Sequence, residues 1–232
     1  MPTIAEHPVT RVAGARESSF TAREKLGLDY CCGGKSTLTD ARLHADVDEP
    51  DTDVTSPAWN ERPLRDLIAH IVATQHVYIR NEIPRLEALL AQVVTKHGAA
   101  HPELTEISQL FLVMARELSS HLTIEEQSLF PRIERMEQAV PRTERTAKPA
   151  FFLSVKRPLS SLTAERANLA ALLLQMAGLS DGYRTPGGAC PAFEALYQAL
   201  KTFERNLRWH LHLENSILFP RAVALEKRNT SR

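Results

Sequence analysis

The chain has 232 residues, 43% of them hydrophobic, and its 28 basic residues are balanced by 28 acidic ones, for a formal net charge of zero. That length accommodates one large domain, or a bundle with a small extra module. The charge balance excludes a global electrostatic attraction to nucleic acid or to an anionic membrane. The longest apolar run, around residues 169–179, is well short of the roughly 20 residues that cross a bilayer. The first residues, Met-Pro-Thr-Ile-Ala-Glu-His-Pro, lack the basic-then-apolar pattern of a signal peptide. Three cysteines, two of them adjacent, make a poor disulfide framework. The expectation is a soluble cytoplasmic protein with neither a nucleic-acid nor a membrane partner.

In chain order, residues 1–45 come first, short of apolar runs and centred on Asp29-Tyr30-Cys31-Cys32-Gly33-Gly34-Lys35. Residues 46–63, rich in Asp, Pro and Thr, read as a linker. The remainder, 64–226, is helical in pattern, and the period-two alternation of strands is nearly absent. The pattern predicts four long helices, over about 64–96 with Pro63 at its start, 102–136, 158–179 and 191–226. Pro84 is expected to kink the first. Arg142, Glu144 and Arg145 fall in a solvated loop between the second and third helices, and Ser-Asp-Gly-Tyr-Arg-Thr-Pro-Gly-Gly forms the loop before the fourth. The predicted architecture is an all-α, up-down-up-down four-helix bundle with a small N-terminal module.

The informative feature is a repeat. SSHLTIEEQSLFPR over 119–132 and RWHLHLENSILFPR over 208–221 match at a constant offset of 89: His121 with His210, Glu125 with Glu214, and Leu129-Phe130-Pro131-Arg132 with Leu218-Phe219-Pro220-Arg221. Upstream, helix two carries Ile107, Phe111, Met114, Leu118, His121, Glu125 and Leu129. Helix four carries Leu196, Leu200, Phe203, Leu207, His210, Glu214 and Leu218. Both advance in steps of 4-3-4-3-4-4, as core-facing stripes do. A histidine and a glutamate four residues apart lie one turn apart on the same face, here in the middle of each apolar stripe. A lone core histidine is ordinarily just hydrogen-bonded, and one His-x-x-x-Glu arises readily by chance; this pair occurs twice, in register. Burying two nearby carboxylates is costly by desolvation and repulsion, and a cation between them removes that cost. Imidazole with carboxylate suits iron, zinc or manganese.

Helix one carries Ile68, Val72, His76, Ile79, Ile83, Leu86 and Leu90, so His76 falls within its apolar stripe. His70 lies about 240° around the axis from His76 and faces elsewhere. Helix three carries Leu159, Leu162, Arg166, Leu169, Leu173 and Met176. A bundle metal site calls for a histidine at that central polar position; Arg166 stands there, and a guanidinium does not bind metal under ordinary conditions.

These motifs resemble those of hemerythrin-like proteins, and specifically of the RIC family (repair of iron centres, the YtfE/ScdA/DnrN proteins). Leu28–Lys35 with Thr37-Leu38 is similar to the motif of the family's small N-terminal domain. The His121/Glu125 and His210/Glu214 segments with their Leu-Phe-Pro ends are similar to its second- and last-helix motifs. The resemblance implies a hemerythrin-like bundle holding two non-haem irons. It implies His76, His121 and His210 as ligands, Glu125 and Glu214 as bridging carboxylates, and Glu165 as a retained residue in the layer just outside the ligands. The family's third-helix ligand histidine coincides with Arg166. Three arrangements follow: a di-iron site with solvent in the gap, one iron with Arg166 paired to a carboxylate, or another register for helix three. Retained iron with a weakened second site is the favoured expectation.

The resemblance further implies NO or O2 as a small ligand, iron-sulfur proteins as clients, and a role in nitrosative and oxidative stress, some members being NO-binding proteins associated with denitrification. A gas buffer or sensor without turnover and a di-iron NO reductase are the alternatives. Cys31 and Cys32 form a poor structural disulfide; they read either as small buried residues or as an exposed reactive pair able to contact metal, NO or a redox partner. The module around them donates metal, senses redox state or forms a homodimer. Cys190 reads as inert packing.

Overall fold

The computed structural model describes residues 59–138 and 154–230. The N-terminal module, with Cys31 and Cys32, and the loop of Arg142, Glu144 and Arg145 lie outside the described residues. The described chain is all-α, with four long helices. Helix α1 spans 64–97, formed by Leu64–His70, a π-helical turn at Ile71–His76, and Val77–His97. Helix α2 spans 103–138, with a π turn at Glu125–Leu129 between Glu103–Ile124 and Phe130–Gln138. Helix α3, Lys156–Leu179, is α-helical throughout. Helix α4 spans 191–230, with a π turn at Leu213–Leu218 between Pro191–His212 and Phe219–Thr230. No helix among the described residues is long and apolar enough to cross a membrane.

The stripes foreseen on α2 and α4 are buried at every position. Helix α1 differs. Val72 and Ile83 are only half-buried, whereas Leu67 and Ile71 are fully buried. The cause is the π turn. Ile71 and His76, both without exposure, are five residues apart, which a straight α-helix would set about 140° apart around its axis; the wider turn brings them back toward one face. A regular stripe alternates steps of four and three, and two successive fours mark each π turn. The fours of the buried stripe run 121–125–129 on α2 and 210–214–218 on α4, and on α1 they appear in the sequence pattern 68–72–76, where the structure buries Ile71 in place of Val72. Helix α3, stepping 159–162–166–169–173–176, has no such pair and no π turn.

The chain forms two compact units by its contacts. One holds 70–131 and 158–208, and so a length of all four helices. Its apolar centre is aromatic. Phe111 of α2 meets Phe203 of α4 edge-on at 5.7 Å, Tyr78 of α1 stacks on Phe203 at 6.3 Å, and Phe193 packs edge-on to Tyr197 at 4.8 Å. The loop after α3 turns through Asp181, Gly182 and Tyr183, all with positive φ. The buried Tyr183 is fixed by its hydroxyl, which donates to Glu204 at 2.7 Å. Burial beside that carboxylate raises the tyrosine pKa far above its ordinary value. Cys190, half-buried, is 3.0 Å from Nε2 of His97.

The other unit holds 59–69, 132–138, 154–157 and 209–230 among the described residues. The Glu137 carboxylate accepts from the amides of Leu64 and Arg65 at 2.6 and 2.9 Å. It thereby satisfies two of the unpaired N–H groups that open α1 and places an anion on the positive end of its dipole. Composition marks 46–63 as linker, yet its last residues are tied down: Trp59 is buried under the Arg62 guanidinium. The repeat residue Arg221 donates to the carbonyls of Trp59 and Arg62.

Phe111→Ala, which deletes a ring with no exposure, is expected to lower unfolding free energy by about 3–5 kcal/mol, measured by urea denaturation followed by far-ultraviolet circular dichroism.

Candidate metal centre

Helices α1 and α3 each bring one residue of the polar centre into the core, and α2 and α4 bring two each. His76, His121, Glu125, His210 and Glu214 have no exposure, and Arg166 has 3%. His76 closes the π turn of α1, Glu125 opens that of α2, and Glu214 lies within that of α4. Single π turns inside α-helices recur at functional sites, where the extra residue re-aims side chains.

His76, Glu125, His210 and Glu214 each offer a ligand atom, and the four atoms lie within 4.8 Å of one another. Nε2 of His76 is 3.6 Å from Oε2 of Glu125, and Nε2 of His210 is 3.5 Å from Oε2 of Glu214. These spacings are long for hydrogen bonds. They suit two donors on one ion, since bonds of ~2.1 Å at ~90–120° place the donor atoms about 3 to 3.6 Å apart. Two imidazoles and two carboxylates form a donor set for a divalent transition metal such as iron. The residues present therefore fit one such ion.

The surroundings of His76 favour that use. Its Nδ1 donates to Oε1 of Glu126 at 2.6 Å, and Glu126 is also held by the Arg80 guanidinium at 2.9 Å. An imidazole whose Nδ1–H is engaged by a carboxylate presents its Nε2 lone pair inward, the usual arrangement of a metal-bound histidine. Burial pushes the His76 pKa down, more than the Glu126 hydrogen bond and the nearby carboxylates push it up; the neutral, ligating form is favoured. Burial works to raise Glu126, but the hydrogen bonds from Arg80 and His76 outweigh it and hold this carboxyl below its ordinary value.

The other side of Glu125 is different. Its Oε1 accepts from Nη2 of Arg166 at 2.8 Å and lies 2.9 Å from Nε2 of His121. Nδ1 of His121 is 3.2 Å from Oε2 of Glu165. His121 thus sits outside the four-residue group, against the oxygen that Arg166 holds. His70 is half-buried and also outside the group. Sequence reasoning places Glu165 in the layer just outside the ligands and misses Glu126, although the Glu125-Glu126 pair mirrors Glu165-Arg166 as an acid adjacent to a core polar position. Arg80, one turn beyond His76 on α1, is likewise missed.

A four-helix bundle with a His/Glu cluster in its core is the architecture of the hemerythrin class. The family model "Hemerythrin HHE cation binding domain" matches residues 67–222, and the chain belongs to that family. Within it, the chain is 30% identical over 206 residues to the iron-sulfur cluster repair protein YtfE of Yersinia pseudotuberculosis serotype IB (strain PB1/+). The identity is the same to YtfE of Yersinia pestis strains Pestoides F and Angola, and each match covers 84% of this chain and 87% of the relative. It is a member of the RIC branch to which those proteins belong.

Replacing Glu126 with Gln, which weakens the hold on His76, is expected to reduce ferrous-iron affinity about 10–100-fold without loss of helix content, read by competition with a chromogenic chelator and by circular dichroism.

Proposed function

We propose that this chain is a cytoplasmic non-haem iron protein of the nitrosative and oxidative stress response, which binds NO and supports the repair of iron-sulfur clusters. The observation that carries the reading is the buried set of His76, Glu125, His210 and Glu214. Two carboxylates in a dry core are stable only with positive charge beside them, and an imidazole–carboxylate donor set selects a transition metal. Relatives that match over 84% of the chain are iron-sulfur cluster repair proteins, which supports iron as that metal and damaged iron-sulfur proteins as clients.

Iron held here would supply a site at which a diatomic gas binds. The chain's own residues prepare that site. Glu126 orients His76, the aromatic and aliphatic core around Phe130, which stacks on His76 at 5.7 Å, limits water, and Glu125 and Glu214 hold charge. Gas capture without turnover is the second reading, supported by the grip of Arg166 on Glu125, because coupling two NO molecules calls for two metals side by side. Cys31 and Cys32 remain candidates for contact with NO or metal.

The anaerobic ferrous protein is expected to give, on adding NO, the EPR signal that NO imparts to ferrous iron. It is also expected to restore activity to an NO-damaged iron-sulfur dehydratase. The double variant His76→Ala/Glu214→Ala should do neither. Equal restoration by that variant would remove iron chemistry from the repair role.

A further inference from the structure

We infer that Arg166 is a built-in substitute for a second metal ion, so that this chain carries a mononuclear centre. The inference rests on the metal reading above and deepens it. Its basis is the contrast between the two oxygens of Glu125. Oε2 faces Nε2 of His76 at 3.6 Å, a spacing suited to two donors sharing an ion. Oε1 accepts a hydrogen bond from Arg166 at 2.8 Å, with Nε2 of His121 lying 2.9 Å away. One carboxylate therefore presents one oxygen to a metal and the other to protein.

The guanidinium suits that second position. It is planar, stays charged at any ordinary pH and offers only hydrogens, so it neutralises a carboxylate without accepting a metal. Its side chain is 4% exposed and Glu125 is not exposed at all, so the pair interacts where water screens little. A second divalent ion on Oε1 would have to displace Arg166 and then sit beside a trapped cation. The groups facing this half of the core include His121 and Glu125 from α2, Arg166 and Glu165 from α3, and His76 from α1. Glu165, 37% exposed, already faces Nδ1 of His121, and Arg166 balances the buried Glu125.

The backbone agrees. Helices α1, α2 and α4 each open into a π turn at a member of the four-residue group, and α3, which carries Arg166, stays α-helical.

The test is anaerobic titration of the metal-free full chain with ferrous iron, counting bound metal by elemental analysis and recording EPR after oxidation. The expected result for the native chain is one iron per chain and the EPR signal of a lone ferric ion. Arg166→His should raise the count to two and remove most of the ferric signal through coupling between neighbouring irons, whereas Arg166→Lys should stay at one. Two irons in the native chain, or an EPR-silent ferric centre, overturns the inference and leaves the proposed iron function standing. A folded Arg166→His chain that still binds one iron also overturns it. No bound iron at all defeats the functional reading itself, which is a separate outcome.

Discussion

Glu125 and Glu214 are carboxylates with no solvent exposure, set in the cores of two helices, and the rest of the centre is organised around their charge. Isolated anions in such surroundings cost several kcal/mol each. The fold answers with several kinds of partner: the imidazoles of His76, His121 and His210, the guanidinium of Arg166, and a donor set that accepts a cation. A carboxylate flanked in this way is stable only while each partner stays in place, so the helices that carry them are coupled through chemistry as well as through apolar packing.

The second layer of contacts extends this logic outward. His76 and His121, on successive helices, each set Nδ1 against a glutamate, Glu126 and Glu165 respectively. Glu126 is gripped in turn by Arg80, which is 46% exposed on its side chain. Charge is therefore graded from the dry centre to the surface, each ring nitrogen leading to a more hydrated group. The orientation of a buried imidazole then depends on partly solvated residues, which lets the exterior of the bundle influence basicity inside it.

Much of this was legible in the sequence. The two His-x-x-x-Glu pairs, their shared offset and the matching apolar stripes indicated both the bundle and its polar centre, because burial periodicity is set by local backbone geometry. Arg166 could be recognised as misplaced among apolar neighbours. Its partner could not: which oxygen of which glutamate it reaches depends on the approach of α3 to α2, a tertiary fact. Glu126 and Arg80 escaped notice because they occupy half-buried or exposed faces, where a charged residue is ordinary. The π turns were written in the doubled steps of four but are invisible to a reading that assumes a uniform period, and that assumption assigned Val72 rather than Ile71 to the core of α1.

Those turns have a mechanical consequence. A uniform helix can slip along its neighbours by one or two turns and find a similar set of ridges and grooves. A helix with one wider turn has a landmark at a single height, and the spacing of its core residues above and below that height is no longer interchangeable. On a helix that carries such a landmark, axial sliding would set its buried side chains against the wrong layer. The bundle thus behaves like a keyed shaft, its depth of engagement fixed where the donors must meet.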